Sequence, residues 1–267
     1  MAMKVDFVKM HGAGNDFIMI DDRNGRFKGD WRLLSAMAAR GTGIGCEGVI
    51  LVQNAEGEAD FRMRFYNPDG SEAELCGNGA RCVAAFAREI GAAASDIMRF
   101  ETLAGVVEAE IKSEKLVCVK MPDPKLYADG FVNSGVPHKV VMVENLAKVD
   151  VDAEGRRIRM SDEFAPSGTN VDFVTFRAPD RVSVRTYERG VEAETGACGT
   201  GAVAAAVVGV AECGLSFPVR VSTACGYELL VGGAYEDGRF CNVTLSGPVK
   251  KVFTGSIDLD TLDMLGE

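Results

Sequence analysis

Two cysteines stand at matching places in this chain, in Cys76-Gly77-Asn78-Gly79-Ala80 and Cys198-Gly199-Thr200-Gly201-Ala202. Each opens an apolar run with helical spacing, which predicts a thiol at the N-terminus of a helix. That is the positive end of the helix dipole, beside amide N–H groups that lie ahead of the helical hydrogen-bond ladder. Thiols in such settings have pKa values of about 3.5–7.5, which makes a usable base near neutrality. The small residues that follow let a carboxylate approach the amides closely. One such site reads as a nucleophile or an anion pocket. Two at matched places read as a thiol on each side of a single ligand, in a cleft. That arrangement suits inversion at carbon. A thiolate removes a proton from one face, a thiol delivers another to the opposite face, and the helix-end amides hold the carboxylate as it takes on carbanion charge.

The likeness extends on both sides of the cysteines. Gly70-Ser71-Glu72-Ala73-Glu74 precedes the first and Gly190-Val191-Glu192-Ala193-Glu194 the second. Thr102-Leu103-Ala104-Gly105 and Thr223-Ala224-Cys225-Gly226 follow, 26 and 25 residues after their cysteines. Further up, Asn15-Asp16-Phe17-Ile18 is echoed by Asn170-Val171-Asp172-Phe173-Val174. The chain therefore reads as a duplication of one α/β unit, a first domain over 1–121 and a second over 122–253. Met121-Pro122-Asp123-Pro124 is the boundary, since two prolines end strand pairing. The acidic tail, 254–267, is read as returning to the first domain.

The elements that must position the thiols follow from periodicity and turn residues. In the first unit strands are predicted near 5–9, 17–20, 49–52, 61–66, 98–102, 106–111 and 116–120. A helix capped by Asp30 runs to Arg40, and the cysteine helix covers 80–90. Gly41-Thr42-Gly43-Ile44-Gly45 lacks the Lys-Ser/Thr of a phosphate loop and reads as a turn. The second unit has strands near 140–143, 157–160, 171–176, 182–187, 219–223, 227–231 and 240–244, with a helix at about 200–212.

Composition narrows the function classes. The 267 residues are 47% apolar and 25% charged, as in a globular protein with a proper core. A net charge of −10 argues against nucleic acid, which needs a basic footprint. Thr195 to Ala211 carries no charge, but glycines break it, and it reads as a buried central helix rather than a membrane span. Residues 1–22 lack the apolar core of a signal peptide, so a cytoplasmic protein with reduced thiols is expected. No CxxC pair occurs among the eight cysteines, which argues against zinc. Cys46, Cys82, Cys118, Cys213, Cys225 and Cys241 read as small buried hydrophobes. His11 reads as structural. For the Glu72/Glu74 and Glu192/Glu194 carboxylates, exposed loop charges and functional groups both stay open.

Several motifs in order carry a resemblance over nearly the whole chain. They are Lys9-Met10-His11-Gly12-Ala13-Gly14-Asn15-Asp16-Phe17, Asn67-Pro68-Asp69-Gly70-Ser71, Cys76-Gly77-Asn78-Gly79-Ala80-Arg81-Cys82, Pro137-His138, Thr169-Asn170, Tyr187-Glu188-Arg189-Gly190 and Glu194-Thr195-Gly196-Ala197-Cys198-Gly199-Thr200-Gly201. On these the chain resembles the diaminopimelate epimerases, within the cofactor-independent amino-acid racemases and epimerases. The resemblance implies two pseudo-symmetric α/β domains, each a mixed sheet or barrel around a central helix with the active site in the cleft between them. It also implies a homodimer, a small amino-acid substrate, and no pyridoxal phosphate or metal. The reaction implied is interconversion of L,L- and meso-diaminopimelate in lysine and cell-wall synthesis.

By the same resemblance Cys76 and Cys198 are the acid/base pair. Asn15, Asn67, Asn170 and Arg189 meet the substrate's distal amino-acid end, with Arg189 as a clamp on its carboxylate. Gly77, Asn78, Gly199 and Thr200 hold the reacting carboxylate. His138 and Glu188 tune the thiols and hold the reacting amino group. Two places depart from the usual form: Val136 replaces an asparagine before Pro-His, and Glu47-Gly48 replaces Asp-Gln. A racemase for a different amino acid therefore stays open, as do a dithiol redox protein and a non-catalytic amino-acid binding module.

Overall fold

The computed structural model describes residues 4–27, 30–177 and 179–262, so residues 263–267 of the tail lie outside the described residues. Two compact units form, one from Met1–Val119 with Val249–Glu267 and one from Lys120–Pro248.

In the first unit the chain runs β1 (Lys4–Gly12), β2 (Asn15–Asp21), α1 (Trp31–Ala38), β3 (Gly48–Gln53), β4 (Phe61–Tyr66), β5 (Glu72–Ala73), α2 (Gly77–Glu89), β6 (Ile97–Thr102), β7 (Gly105–Ser113) and β8 (Leu116–Lys120). The sheet order is β1-β2-β3-β4-β6-β7-β8, with β5 beside β4. Its pairs are antiparallel except β2/β3 and β4/β6, which a helix connects in each case. Parallel neighbours need such a crossover.

In the second unit β9 (Lys125–Leu126), β10 (Phe131–Asn133), β11 (Pro137–Met142), α3 (Val151–Arg159), β12 (Asn170–Arg177), β13 (Arg181–Glu188), β14 (Ala193–Thr195), α4 (Gly199–Glu212), β15 (Val219–Ser222) and β16 (Glu228–Glu236) lead to β17 (Arg239–Asp258). The order repeats: β10-β11-β12-β13-β15-β16-β17, with β14 beside β13 and parallel pairs only at β11/β12 and β13/β15. From Val249 onward β17 belongs to the first unit, where it pairs antiparallel with β1.

The repeated topology supports the duplication but corrects part of its register. Asn15-Asp16-Phe17 opens β2, the strand before the outer helix, whereas Asn170-Val171-Asp172-Phe173 opens β12, the strand after it. Strand β2 therefore corresponds to β11, and β12 to β3. The shared Asn and Asp-Phe are not equivalent positions. The Glu-Ala-Glu segments at β5 and β14 and the Thr-x-x-Gly turns at β6/β7 and β15/β16 do correspond.

Each sheet is covered on both faces, one helix to a face. Along β3, Val49 and Leu51 join Leu34, Met37 and Ala38 of α1 in one cluster, while Ile50 points the other way, against α2 at Gly79. This is the two-residue alternation of a strand, and double coverage explains its unbroken apolar run. Helix α4 is buried on all sides from Ala202 to Val208, as its uncharged sequence predicts. Burial of each valine there contributes about 1.5–3 kcal/mol. Among the described residues no helix is long and apolar enough to cross a membrane.

The stretch 157–160, expected as a strand, is the end of helix α3. Asp150 caps that helix by accepting the Ala153 N–H, acidic residues fill its first turn, and Arg156, Arg157 and Arg159 fill its last. End effects outweigh the short Ile-Arg-Met alternation. The Asp30 cap of α1 forms as expected, accepting from the Arg32 and Leu33 amides, but the helix ends at Ala38.

Gly48 sits where β3 passes close to β4. A Cβ there would lie 2.4 Å from the Phe65 ring and 2.9 Å from the Tyr66 carbonyl. Gly48→Ala is expected to cost about 1–3 kcal/mol by overpacking, read as a lower urea midpoint. An unchanged midpoint would mean that Phe65 can turn aside.

Candidate active site

Cys76 and Cys198 are the N-cap residues of α2 and α4, in extended backbone at φ −125° and −109°. The first intrahelical bonds run from the Ala80 N–H to the Cys76 carbonyl, 2.7 Å, and from the Ala202 N–H to the Cys198 carbonyl, 3.0 Å. The amides of residues 77–79 and 199–201 thus precede each helical ladder, where they are placed to meet an anion.

In the second unit the residues around Cys198 form a continuous chain of hydrogen bonds. On β12, Asn170 and Asp172 share the face opposite Val171 and Phe173, which pack under α3. Asp172 points at the first turn of α4, so close that a Cβ on Gly201 would lie 2.4 Å from its Oδ1. Only glycine permits that approach. His138, paired with Asn170 across β11 and β12, lies beside it. His138 Nδ1 is 2.7 Å from Asp172 Oδ2, and both side chains are fully buried. A carboxylate only accepts, so Nδ1 carries the N–H, and Nε2 faces the Thr200 hydroxyl at 2.9 Å. Thr200 Oγ1 is in turn 3.5 Å from Cys198 Sγ. Thr186 donates to Asp172 Oδ1 at 2.7 Å, and Ser134 donates to the Thr200 carbonyl at 2.9 Å.

Of this hydrogen-bonded chain, the sequence points to His138 and Thr200 but not to Asp172, Thr186 and Ser134. The available signal was the spacing Asn170-x-Asp172, which puts both polar side chains on one face of an otherwise apolar strand.

The Cys198 thiol departs from the helix-end expectation. It is 8% exposed, and burial pushes its pKa well above the ordinary 9.0. The Glu188 and Asp172 carboxylates push it further the same way, while the Thr200 hydroxyl and the Gly201 amide pull against them. Desolvation and two negative neighbours outweigh one helix end. Burial and the two carboxylates thus favour the protonated form of Cys198.

The remaining predicted residues fall into distinct local roles. Glu188 accepts from the Thr195 hydroxyl at 2.8 Å. Asn170 uses its side chain as a brace, donating to the Pro137 carbonyl at 2.9 Å and accepting the Arg189 N–H at 2.8 Å. The Arg189 guanidinium reaches only the Ser167 carbonyl, at 3.4 Å, and has no carboxylate partner among the described residues. In the first unit, Asn67 holds a turn through its bonds to Ser71. The buried Oδ1 of Asn15 has no hydrogen-bond partner among the described residues, which makes it an open acceptor at the start of β2. Asn78 accepts from Arg81 Nη2 at 2.6 Å.

Of the six cysteines expected to be buried, two are fully so. Cys46 and Cys82 are buried, and burial raises their pKa values to about 11 and about 12. Cys118, Cys213 and Cys241 are half-buried, but Cys225 is exposed in the β15/β16 turn rather than packed inside. Glu72, Glu192 and Glu194 are held by Arg64, Arg159 and Arg185. His11 Nδ1 accepts the Gly14 N–H in the β1/β2 turn.

Comparison with known proteins follows the same lines. The family model described as diaminopimelate epimerase matches residues 7–127 and 130–245. The diaminopimelate epimerase of Aquifex aeolicus is 44% identical, over 97% of this chain and 100% of that one. That of Chlorobaculum tepidum is 43% identical, over 94% of this chain and 100% of that one. A probable proline racemase from Agrobacterium radiobacter K84 shares the fold at a TM-score of 0.72 and 16% identity, covering 97% of this chain and 94% of that one. The chain belongs to the diaminopimelate epimerase family.

Proposed function

We propose that this isomerase interconverts L,L- and meso-diaminopimelate, with Cys76 and Cys198 as the two acid/base groups. The observation that carries the reading is a cysteine at the N-cap of each unit's central helix, ahead of amides able to hold a carboxylate. One thiolate takes the α-proton and becomes a thiol. The opposite thiol gives its proton to the other face of the carbanion and becomes a thiolate. The electron pair left on carbon is held meanwhile by the carboxylate and the amides of residues 77–79 and 199–201. Only one pair of groups changes state, and the next turnover in the same direction needs one proton to return through solvent.

Support for the distal contacts comes from the open acceptor of Asn15, suited to an ammonium group, and from Arg189, a guanidinium without a carboxylate partner among the described residues. His138, bridged to Cys198 through Thr200, suits the role of tuning that thiol, and Glu188 suits both tuning it and holding the reacting amino group. The family resemblance supports a homodimer, and the biosynthetic role a cytoplasmic one.

Incubation with a panel of amino acids in deuterated water tests the substrate. Diaminopimelate is expected to take up α-deuterium and single-centre amino acids are not. Uptake into another amino acid with none into diaminopimelate would favour the related racemase, which the Val136 and Gly48 departures keep in view.

The pH profile tests the pair. One thiolate and one thiol are needed together, so kcat/KM should be bell-shaped. Because the Cys198 pKa is raised, its proton is held through neutral pH and lost only in alkali. The alkaline limb should therefore fall above the ordinary thiol value of 9.0. A limb already falling at pH 7 would contradict this.

A further inference from the structure

Arg81 is the only buried arginine among the described residues, at 0% exposure. It lies on α2 five residues after Cys76. Its Nη2 donates to Asn78 Oδ1 at 2.6 Å and its Nη1 to the Gly77 carbonyl at 3.2 Å, while Nε finds no partner among the described residues. No carboxylate pairs with it among the described residues. A guanidinium fully removed from water needs a compensating negative charge. Burial works against its charge, and the groups that favour it are all thiols, Cys82, Cys76 and Cys118 in that order. Cys82 is held protonated by burial, with its pKa raised to about 12. Cys118 lies within strand β8 and caps no helix. Cys76 combines the helix end with the cation.

The second unit lacks this device. The position five residues after Cys198 is Val203, and the charged groups acting on Cys198 are the carboxylates of Glu188 and Asp172. The first unit thus sets a buried arginine within electrostatic range of its helix-end thiol, where the second sets two carboxylates. We propose that Arg81 is the buried counter-charge of a Cys76 thiolate, so that the resting enzyme keeps Cys76 ionised and Cys198 protonated. This rests on the two-thiol reading and adds a direction to it: the free enzyme is set to remove a proton from one stereoisomer and to donate to the other face. Arg81 is a positioning residue. By taking the Asn78 oxygen it also leaves the Asn78 NH2 group as the donor side.

Of the other charged groups on the strands packed against α2, Lys4 and Asp6 on β1 are exposed to solvent, and the rest are occupied elsewhere. On β1 and β2, Lys9 pairs with Asp16 at 2.6 Å, and Asp21 pairs with Arg23. On β4, Arg62 pairs with Glu56 and Arg64 with Glu72. On β7, Lys112 pairs with Glu110, and Glu108 lies 3.9 Å from Arg99. His11 on β1 is held below the usual imidazole value by burial and by Lys250. Glu74, on the segment entering α2, is exposed to solvent.

Alkylation of the full-length protein by iodoacetamide, with phosphine reductant and no substrate, tests the assignment. Initial labelling rates at Cys76 and Cys198 are followed from pH 5 to 11 by peptide mass spectrometry. The pH midpoint is read rather than the rate, since accessibility scales the rate alone. The Cys76 midpoint is expected to lie at least about 2 units below that of Cys198. Arg81→Met should raise the Cys76 midpoint by about 1–2 units and leave Cys198 in place, and Arg81→Lys should restore most of the shift. Equal midpoints, or a lower one at Cys198, would overturn the proposal even if the Met variant fails to fold. A folded Met variant with an unmoved Cys76 would overturn it too. Failure of the two-thiol reading shows separately, as ordered midpoints in a protein that exchanges no α-proton.

Discussion

Cys76→Ala and Cys198→Ala should each lower epimerisation by about 10⁴-fold, the upper range for loss of a general acid or base. The two-base scheme gives each thiol one face of the substrate carbon, so neither can stand in for the other. Each variant still keeps one thiol and both sets of helix-end amides. Slow exchange of the α-proton with deuterium, without inversion, is therefore expected from one stereoisomer in Cys76→Ala and from the opposite one in Cys198→Ala. NMR of the recovered substrate separates exchange from inversion. Inversion at near the parent rate in either variant would show that one base suffices.

The second large effect is expected at Asp172. Asp172→Ala leaves His138 and Thr186 buried without their partner, and breaking such a buried pair costs about 3–5 kcal/mol. A fall of that size in unfolding free energy, measured in urea, is the expected result. Asp172→Asn is the informative companion, because it keeps the shape and can still accept from Thr186. Its amide NH2 would face His138 Nδ1, forcing the imidazole N–H to Nε2 and reversing the bond to Thr200. Turnover should fall by about 10²-fold with little loss of stability. Full activity in the Asn variant would mean that the chain from Asp172 to Cys198 only supports the fold.

The parts legible in the sequence were those set by local rules. A cysteine followed by Gly-x-Gly-Ala before an apolar run marks a helix start, and both cysteines are N-caps. The Asp30 cap was readable for the same reason. Parts set by long-range pairing were not. The Asn-Asp-Phe echo looked like register, but β2 and β12 occupy different places in their sheets, which only the parallel pairings reveal. The strand expected at 157–160 rested on a short alternation that helix capping overrides. Asp172 was passed over because a lone aspartate in an apolar strand announces nothing until His138 is seen beside it, 34 residues away in the chain. The helix-end rule lowers the pKa of both thiols, and it could not foresee that burial and two carboxylates push Cys198 the other way.

The central claim, two thiols acting on opposite faces, is tested most directly by following the α-hydrogen itself. The parent enzyme is given L,L-diaminopimelate in deuterated water, and early product and remaining substrate are separated and scored by NMR. With two bases, the meso product should carry deuterium at the inverted centre from the first turnover, while the remaining L,L substrate is still protiated. Early product that retains the substrate's own α-hydrogen would mean that one group both takes and returns the proton, and would contradict the paired-cysteine mechanism.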